Sequence, residues 1–377
     1  MVDRLRVTEL DFDTIKNNLK SFLQQQDQFT DYDFDGSGMS VLLDILAYNT
    51  HYNAYYLNMV ANEAFLDTAL LRESAVSHAK TLGYTPHSKT SSTATITLTA
   101  NVANLHAGTC TVEEGYSFLS DQIDGKSYNF VVLKDTTVTK TDRGEYIFTD
   151  LAINEGQLVT NQFTFVQSSN PKQVFTLPDK DIDTTTIKVT VQDTSSNTSL
   201  NIYNKVDDTL DVDGTSEVYF LNENRDGNYE IYFGNNTVGR KLGDGSTITV
   251  TYLVTNGIAA NKANNFVQKS TLSDSNGEDT SITITPVAAA SGGSDKETVD
   301  SIKFSAPNQF TTQNRLVTKK DYETTILREV PSIDSISVWG GEENVPVVYG
   351  RVFISLKPKD NFFVSETEKE RIIDNII

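Results

Sequence analysis

The sequence predicts an α+β protein of several domains: an N-terminal helical bundle segment, a β-rich antiparallel middle domain and a small C-terminal α/β unit. Three observations predict this fold class. Apolar residues recur at helical spacing up to about residue 88, they alternate with polar residues from about residue 89, and helix-capping signals return after residue 294. With 377 residues the chain is long enough for two or three separate cores.

Residues 1–88 are predicted to form a helical segment around one long helix, from about Ser40 to Asn62. Two apolar lines run side by side along this helix, each with residues spaced alternately four and three apart. The first line consists of Val41, Ile45, Tyr48, Tyr52, Tyr55 and Met59, and the second of Leu42, Leu46, Asn49, Asn53, Tyr56 and Val60. A third line consists of Leu43, Ala47, Ala54, Leu57 and Ala61. The remaining strip of the helix is polar and consists of Asp44, His51, Asn58 and Asn62.

A helix that is apolar on most faces is buried in a core, in a partner or in a membrane. The membrane is the least favoured of these, because Asp44 and His51 would be costly in hydrocarbon and tyrosines are spread along the whole helix. We therefore expect the helix to be covered on most sides, as the spine of a bundle that another chain can complete. The first line, from Val41 to Met59, is the predicted interface, since tyrosine combines a large contact area with a polar tip.

Two shorter helices are predicted beside the long one. Upstream, Asp13 is the expected N-cap of an amphipathic helix, and downstream Gly83 is expected to end a second helix before Pro86. The apolar stripes of these helices are Ile15, Leu19, Phe22 and Leu23, and Leu71, Ala75, Ala79 and Leu82.

An acidic turn precedes the long helix. Asp31, Asp33, Asp35 and Gly36 match the first half of a calcium-binding EF-hand loop, but Leu42 stands where that loop needs a bidentate carboxylate. We interpret the turn as a lead into the helix N-terminus, where the helix dipole favours carboxylates, and we predict no metal site.

Residues 89–272 are predicted to form a β-rich domain, either a sandwich or a barrel of antiparallel strands with one packed and one solvated face. Glycine, asparagine and aspartate punctuate the strand runs, as turns require. The runs lie at Ala94–Ala100, Tyr128–Leu133, Tyr146–Phe148, Gln162–Val166, Thr186–Val191, Glu217–Leu221, Tyr229–Phe233 and Thr247–Val254.

The last part of the chain, from residue 273, is predicted to contain a connection and a third structural unit. Residues 273–294 are predicted to be a linker-like, exposed connection that contains one strand at Ile282–Pro286, because small and polar residues gather there around Gly292 and Gly293. Residues 295–377 are predicted to form an α/β unit that continues beyond the given chain, because its final helix has no C-cap signal. This unit is predicted to begin with a helix at Thr298–Ala306 and a second helix capped by Thr318 and Asp321. Two strands follow, at Ile333–Trp339 and Val347–Leu356. The final helix is capped by Ser365 and Glu368, and its apolar stripe is Ile372, Ile373, Ile376 and Ile377.

Composition restricts the function classes. The 31 Lys and Arg residues against 51 Asp and Glu residues give a net charge of −20, which disfavours a nucleic-acid partner. The single cysteine, Cys110, excludes an intrachain disulfide framework and is expected to be a small buried hydrophobe. Because no apolar signal segment follows the N-terminal residues, the chain is expected to fold in a reducing cytoplasm.

No catalytic, cofactor or metal constellation is predicted. The four histidines His51, His78, His87 and His106 lack paired zinc spacing, and there is no Gly-x-Ser-x-Gly elbow. The loop from Gly239 to Gly245 lacks the Gly-Lys-Ser/Thr of a phosphate loop and is predicted to be a strand-turn-strand corner. A glycosidase-like pair of carboxylates stays open, since the many acidic residues single out no pair.

Three groups of residues resemble the baseplate J-like family and the large baseplate wedge subunit of contractile-tailed phages. The first group is Leu42 to Asn53, Leu70 to Ala75 and Leu82 to Pro86. The second is Tyr229 to Gly234, Gly239, Leu242, Gly245, Ile248, Val250, Tyr252, Thr255-Asn256-Gly257 and Asn261. The third is Gly292-Gly293-Ser294-Asp295-Lys296-Glu297, Ile302-Lys303, Ala306-Pro307, Thr312 to Arg315, Val317-Thr318 and Asp321-Tyr322.

The resemblance implies a structural virion protein of the tail baseplate, assembled in the cytoplasm of a host bacterium. Such a wedge subunit pairs with a second copy of itself, bundles its N-terminal helices with other wedge proteins and helps to form the ring around the tail hub. It has no active site, cofactor, nucleic-acid partner, membrane partner or small-molecule substrate. Two alternatives stay open: the wedge component of a bacterial contractile injection system, and a tail-associated enzyme that degrades polysaccharide.

Overall fold

The computed structural model describes residues 11–26, 36–102, 108–193, 199–206, 212–312, 315–359, 364, 369 and 372–373. The chain divides into two compact units, Met1–Gly83 with Thr298–Ala306, and Tyr84–Glu297 with Pro307–Ile377. N-terminal helices, a β-rich and mainly antiparallel middle region and C-terminal helices with strands confirm the predicted α+β class.

Three helices lie in the N-terminal part: α1 (Phe12–Gln24), α2 (Gly38–Glu63) and α3 (Arg72–Thr81). The predicted long helix is α2, which Ser37 caps by accepting a hydrogen bond from the Ser40 backbone N–H at 3.0 Å. The predicted cap of α1 was wrong. Asp11 caps it, because its carboxylate reaches the Thr14 backbone N–H at 3.2 Å, whereas Asp13 lies inside the first turn.

The predicted end of α3 is confirmed. Gly83 has a positive φ of 74°, and its N–H donates to the Lys80 carbonyl at 3.1 Å. A left-handed residue at this place satisfies a carbonyl that the helix leaves free, and glycine adopts it without a Cβ clash. The half-match to an EF-hand, from Asp31 to Asp35, lies outside the described residues.

The described strands follow in chain order from residue 93 to residue 358. They are β1 (Thr93–Asn101), β2 (Thr109–Val112), β3 (Ser117–Ile123), β4 (Lys126–Val131), β5 (Thr136–Thr139), β6 (Glu145–Glu155), β7 (Gln157–Thr164), β8 (Val174–Thr176), β9 (Ile182–Gln192), β10 (Asn201–Lys205), β11 (Val218–Glu223), β12 (Tyr229–Phe233), β13 (Thr247–Val254), β14 (Phe266–Gln268), β15 (Ser281–Ser291), β16 (Ile333–Gly340) and β17 (Val352–Pro358).

The strands form two large sheets, each with its own core. The six-stranded sheet has the order β14-β3-β4-β6-β1-β15, and the seven-stranded sheet has the order β7-β13-β9-β10-β11-β12-β8. Phe118, Phe130 and Phe148 lie in the first core with the buried Cys110, while Tyr229 and Tyr252 lie in the second. Pairing is antiparallel except between β10 and β11. The β-rich region is thus built around two cores.

Residues 273–294, predicted as a linker-like connection with a strand at Ile282–Pro286, contain the longer strand β15. This strand pairs antiparallel with β1, with Leu98 opposite Ile284 and Ile96 opposite Pro286. Alternation of Ile282 and Ile284 with threonines is the strand signal, and Pro286 is tolerated because β15 lies at the edge of its sheet. The segment is therefore part of the fold.

The C-terminal part contains α4 (Val299–Thr312) and α5 (Lys319–Glu329), followed by the hairpin of β16 and β17. The predicted capping box at α5 is confirmed: Thr318 accepts from the Asp321 N–H at 3.2 Å, and the Thr318 N–H donates to the Asp321 carboxylate at 2.8 Å. Helix α4 extends past Pro307, beyond the predicted end at Ala306. In the predicted last helix only Ile372 and Ile373 of the apolar stripe are described.

Candidate interaction surface

The inward face of α2 consists of small residues and asparagines. Leu43, Ala47 and Ala54 are buried, and so are Asn58 and Asn62 from the predicted polar strip. Asp44 and His51, the other two residues of this strip, are half-buried. The Asn58 amide donates to the Ala54 carbonyl at 3.0 Å and the Asn62 amide to the Asn58 carbonyl at 2.7 Å, so both amides can be buried at low cost.

Charged side chains on α2 are bound within the same compact unit. Helix α1 packs on α2, and Lys16 Nζ lies 2.6 Å from Asp44 Oδ1. At the other end of α2, Glu63 accepts from the backbone N–H groups of Leu70 at 2.8 Å and Leu71 at 3.3 Å. Burial raises the pKa of Glu63, but these hydrogen bonds and one from Ser74 outweigh it and leave the pKa below its ordinary value. The carboxylate thus holds the start of α3.

Both apolar lines of α2 are exposed. We call Val41, Ile45, Tyr48, Tyr52, Tyr55 and Met59 the aromatic seam, and Leu42, Leu46, Asn49, Asn53, Tyr56 and Val60 the asparagine seam. Exposure of their large apolar side chains runs from 41% at Tyr52 to 66% at Val60, and Met59 alone is half-buried. The described residues therefore do not provide the cover that the sequence predicts on these two sides. A continuous apolar surface about 30 Å long is typical of a protein interface.

The aromatic seam is ordered by contacts among its own side chains. The hydroxyls of Tyr48 and Tyr52 are hydrogen-bonded at 2.8 Å, and their rings meet edge to face with centroids 4.6 Å apart. This hydrogen bond raises the pKa of Tyr52 above its ordinary value. Tyr55 and Tyr56 also meet edge to face, at 5.9 Å. Side chains that are already held lose less entropy when a partner binds.

The glycine- and asparagine-rich motifs form a buried polar cluster within the second compact unit. Glu155 is fully buried and accepts from Thr255 Oγ1 at 2.6 Å, the Asn256 N–H at 3.0 Å and Asn256 Nδ2 at 2.7 Å. Asn261 accepts from Ser92 Oγ at 2.7 Å and exchanges two hydrogen bonds of 3.0 Å with the Gly293 backbone.

Space at Gly293 is filled by its neighbours. A Cβ there would lie 2.2 Å from Ser92 Oγ and 2.6 Å from the Gly257 carbonyl oxygen, so only glycine fits. Gly257 and Gly293, which meet here, belong to separate motif groups of the sequence. We call the set Ser92, Glu155, Thr255, Asn256, Asn261 and Gly293 the motif cluster.

Two neighbouring motif residues hold the segment that precedes α4. The Glu297 carboxylate accepts from the Tyr84 hydroxyl at 2.9 Å and from the His87 N–H at 3.0 Å. Lys296 lies 3.0 Å from Glu223 and 5.0 Å from the centre of the Tyr229 ring. These contacts are structural, because each charged group faces a partner and none opens into a cleft.

The histidines and acidic residues in the described part of the chain do not form a metal site. No three His, Cys, Asp or Glu side chains among the described residues are placed to hold a metal ion. His78 bonds the Glu63 carbonyl at 2.9 Å, and burial lowers the pKa of His87 to about 4. The loop from Gly239 to Gly245 joins β12 to β13, which agrees with the predicted corner. None of the described helices is both long and apolar enough to span a bilayer.

Three family models match successive parts of the chain. Residues 11–84 match the helical domain of the gp6-like baseplate wedge protein, and residues 157–264 match the third domain of the bacteriophage baseplate wedge protein gp6. Residues 318–376 match C-terminal domain I of the baseplate structural protein gp6. The first match contains α1, α2 and α3, and therefore both seams.

One curated relative and one solved structure complete the comparison. The chain is 31% identical over 388 residues to the baseplate wedge protein gp6 of Enterobacteria phage T4, covering 96% of this chain and 56% of that protein. The chain therefore spans little more than half the length of this relative. A chain in the cryo-EM structure of the anti-feeding prophage baseplate is similar over 96% of this chain and 67% of its own length, with 10% identity and a TM-score of 0.31, which does not establish a shared fold.

Proposed function

We infer that the chain is a structural subunit of the baseplate wedge of a contractile phage tail, similar to gp6-like wedge proteins. The observation that supports this role is the pair of exposed seams on α2, inside the segment that matches the gp6-like helical domain. The role is non-enzymatic and places the protein in the tail baseplate of the virion, after assembly in the host cytoplasm. The narrower baseplate J-like assignment is part of this proposal.

We propose that the two seams bind helices of other chains. The partners are a second copy of this chain, as a homodimer within a wedge, and other baseplate wedge proteins. Burying one large apolar side chain contributes about 1.5–3 kcal/mol, and the seams offer nine of them at exposures of 41% or more. A helix with two such seams can contact two neighbouring helices at once.

Co-expression with the neighbouring reading frames tests the proposal. We expect native mass measurement to find a stoichiometric complex that contains two copies of this chain and at least one partner. A lone, stable monomer in every co-expression would contradict the wedge role. Turnover of a bacterial polysaccharide by the purified chain would favour the enzymatic alternative instead.

A charged substitution on the aromatic seam sharpens the test. Tyr52→Asp places a carboxylate in the centre of the surface and should abolish partner binding. Tyr349→Asp is the matched control, since Tyr349 is 82% exposed and belongs to the other compact unit. Partner binding that survives Tyr52→Asp, or that is lost equally in both variants, would count against the seams.

A further inference from the structure

The asparagine seam is interrupted halfway along by two polar residues. Asn49 and Asn53 are both exposed, and Asn53 Nδ2 donates to Asn49 Oδ1 at 3.1 Å. This bond uses neither the Asn49 amide N–H groups nor the Asn53 carbonyl oxygen. Leu42 and Leu46 lie on the N-terminal side of the pair, and apolar Tyr56 and Val60 flank it on the other side.

A partner that covers this seam must match the two amides. A purely apolar helix would bury an amide donor and a carbonyl acceptor without partners, which is unfavourable. The same seam on a second copy of the chain carries the missing groups, because it also presents amide N–H donors and the Asn53 carbonyl acceptor. The surface is therefore complementary to itself in its polar groups as well as in its apolar ones.

Charge also favours a second copy. The acidic residues of α2 are Asp44 and Glu63, and neither belongs to the seam. Asp44 pairs with Lys16, and Glu63 binds the first turn of α3. Two copies can therefore bring their seams together without placing like charges opposite each other, although the whole chain has a net charge of −20.

We propose that Asn49 and Asn53 fix the register in which two copies of α2 pair, with the asparagine pair of one copy opposite that of the other. The proposal rests on the self-pairing in the proposed function and adds what selects one alignment. Sliding one helix by seven residues would keep most apolar residues in contact. It would place Asn49 and Asn53 opposite Leu42 and Leu46 in one direction, or opposite Tyr56 and Val60 in the other. A buried asparagine at such a position is known to select one alignment at some cost in affinity.

Cysteine cross-linking of the full chain measures the register. The natural cysteine, Cys110, is buried, so that introduced cysteines are the accessible ones. Leu46→Cys and Tyr56→Cys are prepared separately and oxidised mildly, each alone and as a mixture. With the asparagines opposed, parallel helices give disulfide dimers in each variant alone, and antiparallel helices give them only in the mixture. Thr50→Cys, exposed but off the seam, is the control and should stay monomeric on a denaturing gel.

The double variant Asn49→Leu/Asn53→Leu provides the second readout. It should bind itself on the order of tenfold more tightly and should give weaker cross-links spread over several registers. A native dimer that yields no cross-link in any of the three samples, or a pattern unchanged by the double variant, would overturn the proposal while leaving self-pairing intact. A chain that stays monomeric overturns the self-pairing and the register together.

Discussion

The α2 seams and the motif cluster differ in almost every physical respect. The seams are exposed and mainly apolar, whereas the motif cluster is mostly buried and polar. Glu155, Asn261 and Gly293 form hydrogen bonds between distant parts of the chain, while the contacts that order Tyr48 and Tyr52 lie within their own helix. Both regions contribute to the recognisable motif groups, but the motif cluster maintains the fold, whereas the seams are proposed to assemble the wedge.

If this contrast is right, Glu155→Ala should destabilise the protein most. It leaves three donors without their acceptor, the buried Thr255 hydroxyl and two part-buried N–H groups of Asn256, and an unmet buried hydrogen bond costs about 1–3 kcal/mol. We expect a loss of about 3 kcal/mol or more in the free energy of unfolding, measured by denaturant titration. Glu113→Ala, at an exposed glutamate, should change it by less than about 0.5 kcal/mol. Equal losses of unfolding free energy in the two variants would contradict the proposed structural role of the motif cluster.

The second prediction concerns pH and His87. Its Nε2 is buried without a hydrogen-bond partner among the described residues, and burial lowers the folded pKa to about 4 from 6.5. Since the unfolded chain binds the proton more readily, this group's contribution is complete above pH 6.5 and is lost as the pH falls towards 4. The maximum loss is about 3 kcal/mol.

His87→Gln removes this titration while it keeps a polar side chain. Stability curves of the two proteins should run parallel above pH 6.5 and converge as the pH falls towards 4. Carboxylates titrate in both proteins and cancel in the difference. Curves that stay parallel down to pH 4 would show that His87 is not buried as a neutral group.

A methyl group at Gly293 is a second way to probe the motif cluster. Gly293→Ala should cost about 1–3 kcal/mol, because the new Cβ meets the Gly257 carbonyl and Ser92 Oγ at distances that force the segments apart. Gly38→Ala is the matched control at the start of α2, where nothing lies within 4 Å of the added atom, and should be neutral or slightly stabilising. Thermal unfolding of both variants, compared with the wild type, decides the point.

The smallest effect on stability is expected on the seams. Tyr52→Asp should change the free energy of unfolding by less than about 0.5 kcal/mol, because an exposed side chain contributes little to the folded monomer. The same variant should lose partner binding altogether. A large loss of stability in the isolated chain would mean that Tyr52 serves the fold, and the two regions would then no longer differ in role.

Much of the fold could be predicted from local signals. Helix α2, the Gly83 terminus, the Thr318 capping box and most long strands follow from periodicity and from the chemistry of single residues. The inward face of α2 could not, since Asn58 and Asn62 belong to the polar strip of the sequence and yet are buried, with their amides bonded to carbonyls of their own helix. The partners of Glu155 lie about a hundred residues along the chain, a separation that spacing rules do not reach. For the candidate site, the sequence predicts only the aromatic seam as an interface, and that role stays a prediction; the exposure of the asparagine seam is seen only in the structure.

Edge strand β15 affects whether the sheets of neighbouring molecules can pair edge to edge. A long open edge invites the next molecule to extend the sheet through backbone hydrogen bonds, regardless of side-chain identity. Here Pro286 removes a donor near the middle of the edge, and the register against β1 shifts beside it, between the pairs of Ala288 and Pro286. The edge is therefore a poor template for non-specific extension of the sheet. Any recognition between neighbouring molecules then depends on side chains, which give a surface its specificity.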